Sequence, residues 1–100
     1  MHRLVYLPAA VEDLSDIWGY LAEQSQSHEV ADRMIDAIHE TASVYATSPE
    51  VGSPRFELAA RVRCFVVARY AVFYLPFEDG IEIIQVIPGS RDIPVHFRDT

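Results

Sequence analysis

The sequence has no lysine, and its eight basic side chains are all arginine. Fifteen Asp and Glu residues outweigh them and give a net charge of −7. An acidic chain gains little from the counterion release that drives nucleic-acid binding, so we expect no direct contact with nucleic acid. The charge is uneven, because residues 1–50 carry two arginines against nine acids and residues 51–100 carry six against six. Arginine suits planar, bidentate recognition, and most of it lies in the second half.

Cysteine is almost absent. Cys64 alone cannot form an internal disulfide, and its position in an apolar run favours a buried, reduced thiol. No apolar run approaches the roughly 18–20 residues of a membrane span. No charged start followed by an apolar segment marks a secretion signal. We therefore expect a cytoplasmic protein without membrane contact, folded as one domain over residues 1–100.

Motifs for metal, cofactor or covalent chemistry are also missing. The four histidines share neither helix-face nor hairpin spacing, and there is no second cysteine to complete a metal site. The four glycines include no phosphate-cradling loop. No serine stands in a nucleophile motif. We expect no metal, no cofactor and no nucleophilic catalysis.

Apolar runs rich in Val, Ile, Phe and Tyr dominate the second half of the chain. They are Val62–Val67, Tyr70–Leu75 and Ile81–Ile87. These residue types suit strands, and the Asp79-Gly80 pair between the last two is a hairpin signal. The runs predict a three-stranded antiparallel meander. His2–Tyr6 predicts a further strand that pairs with this sheet, and Arg55–Leu58 predicts a short edge strand.

Two amphipathic helices are predicted between the first strand and the meander. Apolar residues recur at helical spacing over Pro8–Glu23 and again over His28–Ala46. Ser27 is a suitable N-cap for the second helix, and the short polar loop between the two predicts an antiparallel hairpin. Each helix has one apolar stripe, so the pair must pack on the sheet. The predicted fold class is α+β.

Arginines around the predicted sheet are the candidate functional residues. Five of them fall in the meander or next to it: Arg55, Arg61, Arg63, Arg69 and Arg91. If the helices cover one face of the sheet, the opposite face is expected to gather these guanidinium groups, with Phe65 or a tyrosine, into a site for an anionic partner. The alternative, pairing within the chain or solvation at sheet edges, stays open for each arginine.

A series of short motifs follows a fixed order through most of the chain. From the first helix to the end of the meander they are Ala10, Asp13-Leu14, Asp16-Ile17-Trp18, Tyr20, Ala31, Ile35–Ile38, Ser48-Pro49, Gly52, Arg55, Leu58, Arg63, Arg69-Tyr70, Phe73-Tyr74, Gly80-Ile81, Ile83, Val86, Gly89 and Arg91-Asp92-Ile93. Together they resemble the RelE/ParE superfamily of type II toxin–antitoxin toxins, and within it the ParE, or plasmid-stabilisation, branch. The resemblance implies a β-α-α-β-β-β fold, with a helical hairpin packed on a twisted antiparallel sheet.

The resemblance also implies a growth-inhibiting toxin and its partners. Such a toxin is neutralised by a cognate ParD-like, DNA-binding antitoxin, with which it forms a hetero-oligomer. ParE-like members are thought to act on DNA gyrase without cleaving nucleic acid, so we assign no catalytic residue and expect no enzyme. Antitoxin segments of this kind fold on binding, and apolar anchors receive them. The antitoxin-binding candidates are Trp18, Phe65, Tyr70 and Tyr74, and the toxicity candidates are the five arginines.

Two alternatives within the superfamily stay open. RelE-like members are similar in fold but cleave messenger RNA on the ribosome, using basic residues, often lysines, and a tyrosine near the C-terminus. This chain has no lysine, its tail after Arg91 has no tyrosine, and His96 is the only late general base. RNA cleavage is therefore the second choice. The third is a degenerate member that binds its antitoxin without toxicity.

Overall fold

The computed structural model describes residues 2–89. Its elements are β1 (Arg3–Tyr6), α1 (Pro8–Ser25), α2 (His28–Thr47), β2 (Ser53–Pro54), β3 (Arg63–Val67), β4 (Tyr70–Phe77) and β5 (Gly80–Pro88). The strands form one sheet in the order β1-β5-β4-β3-β2, and both helices pack on one of its faces. The predicted α+β class, with a helical hairpin on a sheet, is confirmed.

The antiparallel meander is also confirmed. β3 pairs with β4 and β4 with β5, and a two-residue turn closes the second hairpin between Phe77 and Gly80. The register shifts at Phe73 and Tyr74, which pair with Gln85 and Ile83, so one extra residue bulges from β5. This bulge explains why the apolar residues of β5 do not alternate strictly in the sequence.

The first strand differs from the expectation of a wholly antiparallel sheet. β1 lies parallel to β5, with Arg3 opposite Gly80 and Tyr6 opposite Ile83, so the sheet is mixed. Parallel neighbours need a long connection, and here the helical hairpin and the meander supply it. The two strands approach so closely that a Cβ atom on Gly80 would lie 1.8 Å from the carbonyl oxygen of Arg3. Glycine is therefore required at this position.

The helices form where their apolar spacing predicts them, and each runs slightly further than expected. α1 begins with a proline in its first turn, directly after the extended residue Leu7, and ends where Gln26 adopts a left-handed conformation. The side chain of Ser27 accepts the backbone N–H of Val30 at 3.3 Å, as predicted for an N-cap. Within residues 2–89, no helix combines the length and apolarity needed to cross a membrane.

The predicted edge strand at Arg55–Leu58 is wrong. The edge strand is β2, where Ser53 and Pro54 pair with Cys64 and Arg63 of β3. The chain then turns, and the backbone N–H of Leu58 donates to the carbonyl oxygen of Arg55 at 3.0 Å. A proline suits this short edge strand, because its missing N–H faces away from β3, and the next N–H, that of Arg55, donates to the carbonyl oxygen of Val62 at 2.9 Å.

Apolar residues cover both faces of the sheet. The first core lies between the helices and the sheet and includes the fully buried Ile38, Val72 and Tyr74. The second core lies on the opposite face. It contains Val62, Cys64, Ala71, Phe73, Ile84 and Ile87, with Leu58 and Leu75 partly buried against it. Burial on both faces accounts for the unbroken apolar run of β4, which is the central strand of the sheet.

Candidate functional site

Arg63 fastens the loop that connects α2 to β2. Its Nη1 donates to the carbonyl oxygen of Gly52 at 2.8 Å, and its Nη2 lies 3.3 Å from a carboxylate oxygen of Glu50. The guanidinium carbon is also 5.5 Å from the ring centroid of Phe56. Only 18% of the Arg63 side chain is exposed. Both terminal nitrogens of its guanidinium therefore have partners within the chain.

The Tyr74 hydroxyl fixes the same loop from inside the core. It accepts the N–H of Gly52 at 2.9 Å and donates to the carbonyl oxygen of Pro49 at 2.8 Å. A Cβ atom on Gly52 would lie 2.2 Å from this hydroxyl oxygen, so only glycine fits. Burial raises the pKa of Tyr74, which keeps the hydroxyl protonated as a donor. Four motif residues of the sequence, Pro49, Gly52, Arg63 and Tyr74, thus form one hydrogen-bonded unit.

Arg55 and Arg61 lie on the face of the sheet away from the helices. Arg55 donates from Nε to a carboxylate oxygen of Glu57 at 2.6 Å, which holds the pKa of that carboxyl below its usual value. Its guanidinium carbon is 5.8 Å from the ring centroid of Phe73. Arg61 donates to the carbonyl oxygen of Pro76. Both arginines are on the predicted face, and both already have partners in the chain.

The ring of Phe77 lies between two arginines on this face. The guanidinium carbon of Arg3 is 4.3 Å from the ring centroid, and that of Arg61 is 5.5 Å from it. Arg3 also lies 3.4 Å from a carboxylate oxygen of Asp79. Sequence reasoning missed Arg3, because its partners follow more than 70 residues later and only the parallel pairing of β1 with β5 brings them together.

Arg69 stands apart from the other arginines, in the turn between β3 and β4. Its side chain is exposed, and its carbonyl oxygen accepts the N–H of Gly89 at 2.8 Å. It borders a cavity of about 370 Å³ on the flank of α1, which Asp16 and Tyr20 also line. The predicted cluster of arginines is thus divided between two ends of the sheet. Arg91 lies outside the described residues.

Three of the four aromatic residues predicted to bind an antitoxin belong to the core. Phe65, Tyr70 and Tyr74 are 4%, 3% and 0% exposed, so their side chains offer almost no surface to a partner. All three belong to the core between the helices and the sheet, so it is the helices that cover them. A role for them in antitoxin binding stays a prediction. Trp18 is half-buried, and its Nε1 donates to a carboxylate oxygen of Asp32 at 2.7 Å, which joins α1 to α2.

The exposed aromatic side chains are different ones. Tyr20 is 58% exposed and Phe56 is 54% exposed. A signal for Tyr20 was present in the sequence, because it falls outside the apolar stripe of α1 formed by Leu14, Ile17 and Leu21. No comparable signal marked Phe56, which follows Arg55 in the segment mistaken for a strand.

Asp13 of α1 completes the edge of β5. Its Oδ2 accepts the backbone N–H of Val86 at 2.9 Å. β1 pairs with β5 only as far as Ile83, so α1 takes over where the strand ends. Since the N–H of Val86 points away from β4, Pro88 has the same orientation two residues later, and its missing N–H costs no strand hydrogen bond. The presence of Asp13 among the motif residues is therefore explained by its hydrogen bond to the edge of β5.

Potential metal ligands do not cluster in the described part of the chain. Over residues 2–89, no three His, Cys, Asp or Glu side chains converge as metal ligands. His39 is placed by its contact with Tyr6, whose hydroxyl lies 2.9 Å from the histidine Nδ1. Burial raises the pKa of Tyr6 to about 12. His96, the general base considered for RNA cleavage, lies outside the described residues.

Comparisons with known proteins agree with this architecture. The sequence model of a family described as the ParE toxin of type II toxin–antitoxin system, parDE, matches residues 4–93. A solved chain from the chromosomal ParDE toxin–antitoxin system of P. aeruginosa superposes with a TM-score of 0.75 at 17% identity, over 90% of this chain and 98% of that one. No curated protein gives a significant match. By the family match over most of its length, this chain belongs to the ParE toxins of type II toxin–antitoxin systems.

Proposed function

We propose that this ParE-family toxin is neutralised by a cognate ParD-like antitoxin and inhibits DNA gyrase in the cytoplasm when it is free. The observation that carries the proposal is the family match over residues 4–93. The similar structure from P. aeruginosa belongs to a ParDE system, which supports an antitoxin of the ParD kind. The motif order from Asp13 to Val86 in the described residues adds support from the sequence.

The state of the arginines favours a toxin that does not cleave RNA. Cleavage needs a group that activates the 2′-hydroxyl and free cations that stabilise the developing charge. Arg55 and Arg63 are ion-paired within the chain and Arg61 binds a backbone carbonyl, so of the candidate arginines in residues 2–89 only Arg69 is without such a partner. The sequence has no lysine to replace them. A protein target such as gyrase is therefore the better match.

The decisive experiment measures supercoiling by purified gyrase in the presence of the toxin. We expect the toxin to block supercoiling and to leave cleaved DNA in complex with gyrase, and we expect the co-expressed antitoxin to reverse both effects. Unchanged supercoiling, combined with messenger RNA cut at codon-spaced positions, would contradict gyrase inhibition. Harmless overexpression with intact antitoxin binding would contradict any toxic function.

Paired arginine variants test which residues contact the target. Arg69→Ala removes an exposed guanidinium that has no ion pair among residues 2–89, and we expect it to weaken gyrase inhibition by about tenfold or more. Arg33→Ala on the exposed side of α2 is the matched control and should change inhibition little. Both variants should retain antitoxin binding in a pull-down. Equal inhibition by the two variants would remove Arg69 from the toxic surface.

A further inference from the structure

The cavity beside α1 is an unassigned feature of the surface. It has a volume of about 370 Å³ and opens between α1 and the end of the sheet where β5 finishes. Its floor is apolar and consists of Ile17, Tyr70, Val86 and Pro88. Its wall on the α1 side carries Asp13, Asp16 and Tyr20, and Arg69 stands on the opposite side. Burial raises the pKa of the Tyr70 hydroxyl, and the nearby Arg69 offsets part of this effect.

The charge around the cavity is mainly negative. α1 contains Glu12, Asp13, Asp16 and Glu23 and no basic residue. In the part of the chain that the structure describes, no ion pair involves Asp16 or Arg69. Asp16 therefore retains its charge for a partner, next to an apolar floor and the exposed ring of Tyr20.

Gly19 lies on the solvent-exposed side of α1 and is not among the residues that line the cavity. It lies inside an exposed helix, where glycine is less favourable than alanine, and a Cβ atom there would meet nothing within 4 Å. Packing within the chain therefore gives no reason for glycine.

We propose that α1 and this cavity dock a basic segment of a partner protein, with one arginine side chain of that segment in the cavity. The methylene stem of an arginine fits the apolar floor, while its guanidinium pairs with Asp16 and lies against the ring of Tyr20. A lysine ammonium would pair with the carboxylate but would not stack in this way. A second copy of this chain would bring like charge to α1, and nucleic acid would be repelled.

The inference goes beyond the proposed gyrase inhibition, because it depends only on the residues that line the cavity. A toxin without activity on gyrase would still bind the basic segment. Conversely, a toxin that inhibits gyrase but does not bind a basic segment in the cavity would refute the inference and leave the proposed function intact. The two proposals therefore fail separately.

Calorimetry with a defined peptide tests the inference on the full chain. The probe is an acetylated and amidated peptide of alternating arginine and alanine, and its control replaces each arginine with citrulline, which has the same shape without the charge. We expect the citrulline peptide to bind about tenfold more weakly. Asp16→Asn should lower the affinity for the arginine peptide by about fivefold. Glu40→Gln, on the exposed side of α2, should change this affinity by less than about twofold.

The variant Arg69→Gln tests whether the charge of Arg69 repels the peptide that binds in the cavity. If the occupant is cationic, removing Arg69 removes repulsion and should tighten binding by about two- to threefold. Weaker binding of the arginine peptide after Arg69→Gln would show that Arg69 assists binding rather than repelling the peptide, and would overturn the proposal. Equal losses from Asp16→Asn and Glu40→Gln would overturn it too, since they would indicate diffuse attraction to the acidic helices. Peptide-induced amide NMR shifts centred on α2 instead of α1 would also indicate diffuse attraction and would overturn the proposal.

Discussion

Tyr74 shows how much one side chain decides in this molecule. Its ring is fully buried between the helices and the sheet, and its hydroxyl satisfies two backbone groups of the loop after α2. Through Gly52 the same loop reaches Arg63, which then pairs with Glu50. Single residues far apart in the sequence are thus joined into one unit that sets where β2 begins.

Removing the Tyr74 hydroxyl tests this unit. Tyr74→Phe leaves the N–H of Gly52 and the carbonyl oxygen of Pro49 without their partner, and we expect the free energy of unfolding to fall by about 1–3 kcal/mol. Urea denaturation measures the change. Tyr20→Phe at an exposed position is the control and should change stability by less than about 0.5 kcal/mol. Equal effects of the two substitutions would show that the hydroxyl contributes nothing specific.

The helices and strands differ in how far the sequence defines them. The ends of α1 and α2 could be predicted because a proline and a serine mark their first turns and the apolar stripes have helical spacing. The direction of β1 could not, because a short apolar run has no feature that separates parallel from antiparallel pairing. The segment from Arg55 to Leu58 was misassigned because Phe56 and Leu58 alternate with polar residues even though the chain turns there.

The candidate site was harder to predict than the fold. The structure places Arg55, Arg61 and Arg63 near one end of the sheet and Arg69 at the other. The sequence does not show which face each one occupies or which carboxylate it meets. Arg3 was missed for that reason, and three aromatic residues were assigned to the surface although they lie in the core. Only contacts between distant segments settle such questions.

Gly19 gives a prediction for the element α1. Gly19→Ala should raise the free energy of unfolding by about 0.5–1 kcal/mol, because alanine is the better helix former and its methyl group meets no neighbour. Thermal or urea unfolding of the isolated chain measures this gain. Ala22→Gly, three residues further along the same helix, should have the opposite effect. A loss of stability in Gly19→Ala would mean that the helix is strained at this position.

At the scale of the whole molecule, the sheet is enclosed by two apolar cores, and Cys64 lies in the second of them. It is 7% exposed, and burial raises the pKa of its thiol, with Arg55 partly offsetting that effect. A thiol that is buried and protonated reacts slowly, since the thiolate is the nucleophile.

Labelling kinetics should therefore follow opening of the whole fold. We expect the reaction of Cys64 with a disulfide reagent at pH 8 to be at least about a hundredfold slower in the native protein than in urea. Destabilising Tyr74→Phe should accelerate the native reaction in proportion to its loss of stability. Fast labelling of the native protein would show that the second core opens locally.

The pairing of β1 with β5 determines when this toxin can complete its fold during synthesis. Arg3 pairs with Gly80, so within residues 2–89 the first strand has no neighbour in the sheet until β5 has left the ribosome. Contacts this distant in sequence form late and slow the folding of a domain. The nascent chain therefore lacks the complete sheet during most of its synthesis. A partner that is already present in the cell has time to bind the chain before the toxin surface is complete.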